Sequence, residues 1–349
     1  MDKNRLDYLS ITRGFGMIAV VLAHSFAPEI RGSNRAVYAI FMWICDFSMQ
    51  IFMVVSGYLF QCSYSKHHKT NKTGFYIGKI KTLIVPYLSM SILSYILIGL
   101  AFFIPALAGV LYSAGYAQVG FMDAVIQIAT HEGHAINHLW FLPTLFIIFI
   151  ISFATDKLFL CWPGLIICAA AFLSSLYIPM PHIIYRVCAL LIYFSIGRRI
   201  IFIDKFTQKN RSPYIFAIFL ISSFIHRMEW FADIYVLDAL FAFIVGISGA
   251  LAFIALSKII SGSTTGRCIA FIGDNSMIIY LLHQPFVVSG VIGILLMYTT
   301  LPHIVICAVA VTLGLAVPLF IYKYVINKAW LLRGLFIGDF SINTTTGFR

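Results

Sequence analysis

Arg13-Gly-Phe-Gly-Met-Ile-Ala-Val-Val-Leu-Ala-His24 is an apolar run closed at both ends by an ionisable side chain. Eleven helical steps of roughly 100° return to within about 20° of the starting direction, about 16 Å further along the axis. The guanidinium and the imidazole therefore share one face at different heights. An ionisable group is costly in hydrocarbon and normally faces a bundle interior or a water-filled cavity. Taken singly, Arg13 has snorkelling to the headgroups as its alternative, and His24 a hydrogen bond to a neighbouring helix. Paired on one face, they predict a site lining the first membrane helix of an all-α protein.

The rest of the chain agrees with a membrane reading. Of 349 residues, 61% are hydrophobic and only 11% charged, too much apolar surface for a water-soluble domain of this size to cover. Ten spans are predicted, at 8–27, 36–61, 83–105, 138–155, 160–177, 183–199, 213–231, 235–257, 269–296 and 303–325. All should be helical, because lipid offers no partner to an open backbone group. With the N-terminus inside, 19 of the 24 basic residues fall on the cytoplasmic side. They lie in the clusters at Lys3 and Arg5, Lys66 to Lys81, Lys157, Arg198 to Arg211, Lys258 and Arg267, and from Lys323 to Arg349. Both termini are then cytoplasmic, and the net charge of +11 reflects orientation rather than a nucleic-acid partner. The opening residues imitate a secretory signal peptide; they are read as a retained span, since cleavage would discard the Arg13/His24 face. A single transmembrane domain is expected over 1–335, followed by a short polar cytoplasmic tail over 336–349. The long outer connection 106–137 holds a mixed-polarity stretch, Phe121 to Thr130, that fits an interfacial helix.

Other polar residues offer chemistry and bland alternatives in equal measure. Asp46 and Gln50 form an i, i+4 pair, with Asp46 placed either to orient an imidazole such as His24 or to reach water. Ser276, Tyr280 and His283 follow i, i+4, i+7 spacing, which lines a hydroxyl, a phenol and an imidazole along one helix face; an interhelical hydrogen-bond network explains that stripe as well. His131, Glu132, His134 and His138 cluster before the fourth span, but His-Glu-Gly-His is not the H-E-x-x-H arrangement, so no metal is expected. His67 and His68, in a lysine-rich loop, read as solvated or drawn to anionic lipid. The seven cysteines are scattered and odd in number, which supports no disulfide framework. Gly57 fits a close helix crossing.

Five stretches together resemble the membrane acyltransferase-3 family, which includes bacterial O-acetyltransferases of surface polysaccharides. They are the Arg13-x10-His24 pair; Phe52-Met-Val-Val-Ser56-Gly57-Tyr58-Leu59; Lys79-Ile-Lys81 leading to Pro86-Tyr87; His138-Leu-Trp140-Phe141-Leu142; and Gly273-Asp-Asn-Ser276 with Tyr280-Leu-Leu-His283-Gln284-Pro285. Two departures stand out. Ser48-Met49-Gln50 occupies the place of the family's His-Met-Pro, and Lys79 and Lys81 replace arginines, which keeps the charge but loses bidentate phosphate geometry.

The resemblance implies an integral O-acyltransferase of the bacterial inner membrane. Acetyl-CoA would be the cytoplasmic donor, with no bound cofactor, and the acceptor a hydroxyl of a surface glycan or its lipid-linked precursor. His24 is then the general base and Arg13 its catalytic partner, while Lys79, Lys81 and Trp140 bind the donor. Asp46, Ser56, His138, Ser276, Tyr280 and His283 serve the acceptor or support the site. The competing class is a transporter or flippase of a polar lipid-linked substrate, with Arg13 and His24 in a permeation path.

Overall fold

The computed structural model describes residues 3–68, 72–113, 115–228 and 234–341. Lys69, the side chains of Lys3, Arg5, Lys66, His67 and His68, and the tail from Ile342 to Arg349 lie outside that description. Among the described residues the chain is helical throughout, with no strand. In order come α1 (Lys3–Ser25), α2 (Pro28–Ser33), α3 (Arg35–His68), α4 (Lys72–Lys79), α5 (Val85–Ala101), α6 (Pro105–Ser113), α7 (Phe121–Thr130), α8 (Phe141–Ala154) and α9 (Trp162–Tyr177). Then follow α10 (His182–Gly197), α11 (Ile200–Phe206), α12 (Ser212–Arg227), α13 (Tyr235–Ile260), α14 (Thr264–Asp274), α15 (Ser276–Leu282), α16 (Val288–Tyr298), α17 (His303–Tyr324) and α18 (Trp330–Ile337).

Among the described residues each predicted span falls mainly on helix, and α7 covers the mixed-polarity stretch read as an interfacial helix; residues 229–231 of the predicted span 213–231 lie outside the described residues. Six stretches among the described residues are long and apolar enough to cross a membrane: Arg35–Ser63, Lys72–Ala101, Phe121–Ala154, Tyr235–Ile260, Ser276–Tyr298 and His303–Lys328. The helix α1, carrying Arg13 and His24, is not among them. Leu88, Ile92, Ile96 and Leu100 form an i, i+4 row on α5, between 41% and 57% exposed. A row of that kind suits contact with lipid rather than water.

The predicted span 269–296 is not one helix. It breaks at Asn275 and again after Leu282, where Gln284 adopts extended backbone (φ −120°, ψ 153°). The second break has a local cause. Pro285 lacks an N–H to continue the ladder, and its ring disfavours helical geometry in the residue before it.

The chain divides into two compact units, interleaved in sequence. The first comprises Met1–Thr70, Ser152–Met180 and Tyr185–Ser276. Here α1 packs on α14, α3 and α13, and α13 packs on α12 and α3. Phe47 of α3 meets Phe253 of α13 and Phe219 of α12 at ring-centroid distances of 5.2 and 5.4 Å. The closest crossings use glycine. A Cβ on Gly273 would collide with the Ser10 carbonyl of α1, and one on Gly57 with the Phe194 carbonyl of α10, the role expected for Gly57. Arg198, counted among the cytoplasmic charges, is in fact buried. It donates to Gln61 Oε1 (3.1 Å), the Ser152 carbonyl (3.3 Å), and both the carbonyl and the carboxylate of Asp156 (3.1 Å each). Such a set compensates a guanidinium taken out of water.

The second unit comprises Asn71–Ile151, Pro181–Ile184 and Met277–Arg349. In it α5 packs against α18, α7 and the 3-10 turn His134–Trp140, and α16 packs against α17. Between α4 and α5 the chain takes a π-helical turn over Ile80–Ile84. Part of the expected tail is structured: α18 runs to Ile337, Phe340 lies against Gly334, and Gly338 (φ +73°) sits against the Lys81 carbonyl.

Candidate functional site

Arg13 is held from one side. Its Nη2 donates to Asp274 Oδ1 (3.1 Å) and to Ser10 Oγ (3.1 Å), while Ser10 Oγ donates to the same carboxylate oxygen at 2.6 Å. Asp274 is the last residue of α14, where the helix macrodipole disfavours a negative charge, so the nearby guanidinium offsets a local cost. The glycine crossing brings the triad together, since Gly273 and Ser10 are its points of closest approach. The Arg13 side chain is 32% exposed, and its Nε has no hydrogen-bond partner among the described residues. A guanidinium fixed by one nitrogen retains donors for a ligand's carbonyl or phosphate oxygen.

His24 stands in the last turn of α1 and is exposed. The positive charge of Arg31 lies within electrostatic reach of it. Arg31 itself stacks over the Phe41 ring at 4.4 Å. Arg31 and Arg227 both act on Cys45, next to Asp46, so these groups gather around one end of the unit. There Asp46 Oδ2 meets His226 Nδ1 (3.2 Å) and Arg227 Nη2 (3.0 Å), and His226 Nε2 meets Asp238 Oδ1 (3.1 Å). The first unit thus gives Asp46 an imidazole neighbour, His226, that sequence reading did not single out.

At the other end of α1 a polar chain ties four helices together, α1, α3, α11 and α13. Tyr8 and Tyr58 share a hydrogen bond of 3.0 Å, Tyr58 donates to Asp204 (3.2 Å), and Lys258 meets Asp204 (3.1 Å) and Thr207 (2.7 Å). Tyr58 is fully buried. Its place in the SGYL stretch has a structural reading, the pinning of α1 to α3. Ser56 is half-buried one residue before the Gly57 crossing, and Ser276 is half-buried at the start of α15.

Within the second unit Tyr280 donates to the His138 carbonyl and accepts from the Phe141 N–H (3.2 Å). His283 is fully buried, and its Nδ1 lies 2.9 and 2.8 Å from the Ile279 and Tyr280 carbonyls. A ring nitrogen facing two carbonyls must carry the proton, so a neutral His283 presents Nε2 as its basic atom. The His138 ring stands perpendicular to His283 at 5.9 Å. Tyr280, His283 and His138 are therefore one cluster; Ser276 stands one turn before Tyr280 on the same helix α15 and is the last residue of the first unit. Trp140 is half-buried against Phe141, ring centroids 6.0 Å apart.

Lys79 Nζ sits 3.7 Å above the Phe149 ring centroid and 5.6 Å from that of Phe75; Lys81 Nζ lies 5.8 Å from that of Phe340. Among the described residues neither lysine meets a carboxylate. Cations without acidic partners are available to an anion from outside the chain.

Two groups escaped the sequence reading, Asp274 as the partner of Arg13 and His226 as that of Asp46. Asp274 stood within the Gly273-Asp-Asn-Ser276 stretch, whereas the signal for His226 was only a titratable residue next to an apolar stretch. A family model described as an acyltransferase domain matches residues 6–321. No curated protein and no solved structure matches the chain.

Proposed function

The chain belongs to the acyltransferase-3 family, and from that membership we propose an O-acetyltransferase that moves an acetyl group from acetyl-CoA to a hydroxyl of a surface glycan or its lipid-linked precursor. It is a multi-pass membrane acyltransferase; the bacterial inner membrane, ten crossings and cytoplasmic termini belong to the proposal. The anchored but incompletely occupied guanidinium of Arg13, on the same helix as an exposed His24, carries the reading.

His24 takes the proton of the acceptor hydroxyl as its oxygen attacks the thioester carbonyl. The tetrahedral intermediate collapses with loss of the thiolate, which is protonated on leaving. The two helix positions lie about 16 Å apart along the axis, too far for both side chains to serve one carbonyl. Arg13 is therefore assigned to an oxygen elsewhere on the donor's extended arm, and His24 to the reacting hydroxyl. Lys79 and Lys81 suit the polyanionic head of the donor, with Trp140 beside it. Asp46, Ser56, His138, Ser276, Tyr280 and His283 remain candidates for acceptor contact or support. Family membership supports this catalytic reading over transport.

The test is transfer of label from acetyl-CoA by purified full-length protein. His24→Ala and Arg13→Ala are expected to abolish acetylation while inserting normally. Near-normal glycan acetylation in a His24→Ala strain refutes the assignment of the base.

A further inference from the structure

The connection between α6 and the 3-10 turn holds an open surface pocket of about 350 Å³ lined by Ala117, Gln118, Val119, Asp123, Ile126 and Gln127. We propose that this pocket is the subsite for the sugar head of a lipid-linked acceptor. The inference rests on the acyltransferase reading above, and on the expectation that 106–137 lies outside.

Three observations support it. First, the volume lies at the low end of small-ligand sites, suited to one or two sugar rings rather than to a nucleotide. Second, the polar lining matches hydroxyl groups. Tyr95 donates to Gln127 Oε1 at 2.5 Å, which fixes the amide so that its NH2 stays free to donate. Asp123 makes no ion pair or side-chain hydrogen bond among the described residues, so its carboxylate can accept from a hydroxyl. Donor and acceptor sit one helical turn apart on α7, a spacing that places them on the same face.

Third, α7 is two-faced. Phe121, Met122 and Val125 occupy the other side and are 79%, 70% and 47% exposed. A short helix with such an apolar face beside a polar pocket fits an interfacial position, where a lipid anchor and its sugar head part company. The segment is held in place. Its C-terminus is closed by His131 in the left-handed region (φ +64°), and Tyr116, 9% exposed, packs edge-on against His134 at 4.5 Å.

Saturation-transfer NMR on the full-length protein in nanodiscs tests the proposal, with methyl glycosides of glucose, galactose, rhamnose and N-acetylglucosamine as probes. At least one should show saturation transfer. Its signal should fall at least five-fold in Asp123→Ala and in Gln127→Ala, and partly in Tyr95→Phe, which releases the amide. Gln118→Ala, on the exposed loop, guards against misfolding at α7 and should also weaken the signal. No signal from any glycoside, or equal signals in wild type and all variants, overturns the proposal. Consumption of acetyl-CoA by the same wild-type preparation separates the failures. Turnover without glycoside binding overturns the subsite alone, whereas absence of both overturns the acyltransferase reading with it.

Discussion

Asp274→Asn isolates the charged one of the two contacts that orient Arg13. The substitution keeps the shape of the side chain and an oxygen able to accept from Ser10, but removes the negative charge facing the guanidinium. Both partners are substantially exposed, 32% for Arg13 and 45% for Asp274, so the pair contributes at most about 1 kcal/mol to stability. The thermal midpoint should therefore move by no more than about 2–4 °C. The effect on turnover should be larger. Arg13 has two side-chain partners, Asp274 and Ser10, each at 3.1 Å, and losing the charged one lets the guanidinium drift. A displacement of about 1 Å in a positioning group costs up to about 100-fold in rate, or about 2.7 kcal/mol of barrier. Acetyl transfer by purified Asp274→Asn should fall about 10- to 100-fold in kcat/KM, with Asp274→Glu recovering part of it. Transfer within two-fold of wild type refutes the reasoning. So does a loss that tracks a collapse of the folded protein.

Other substitutions probe the scaffold. Gly273→Ala drives a Cβ into the backbone of Ser10 and Gly14; it should destabilise by about 1–3 kcal/mol or more and lower transfer, whereas Gly290→Ala, with nothing within 4 Å, should be neutral or slightly stabilising by thermal melting. His226→Ala leaves the mostly buried Asp46 with Arg227 alone and should cost about 1–3 kcal/mol; a variant melting like wild type rules out a structural role for that contact. Ser341, donating through hydroxyl and backbone N–H, and the neighbouring Arg333 hold the Asp339 carboxyl below its usual range. Because the folded value is the lower one, this stabilisation is complete above roughly pH 4 and lost as pH falls through the folded value. Hydrogen-exchange protection of the Asp339 amide, bonded to the Arg333 carbonyl, should drop as pH falls through that lowered value; constant protection between neutral and acid conditions contradicts it.

Helix positions were legible in the sequence because long apolar runs leave the backbone no other hydrogen-bonded state. The Arg13/His24 face was legible because helical periodicity alone fixes it. The break at Gln284 was available in principle from Pro285, but a hydropathy reading averages over one proline. What periodicity does not carry is the pairing of helices. Asp274 lies 261 residues from Arg13 and His226 lies 180 from Asp46, and only the packing of α14 on α1 and of α12 on α3 supplies those neighbours. Ser276 and Tyr280 do share the helix α15, one turn apart, and the break that periodicity misses comes after Leu282, beside His283.

The gap between Arg13 and its counter-charge also has a meaning in time. A ribosome adding about 5–20 residues per second makes Asp274 roughly 13–52 s after Arg13. Throughout that interval the first helix carries a cation whose partner has not been synthesised. Biogenesis must hold α1 in some provisional setting, in the translocation machinery or at the headgroups, until α14 arrives to receive it. Nascent chains arrested before Asp274 would then leave α1 easily extracted, and those arrested beyond it would not.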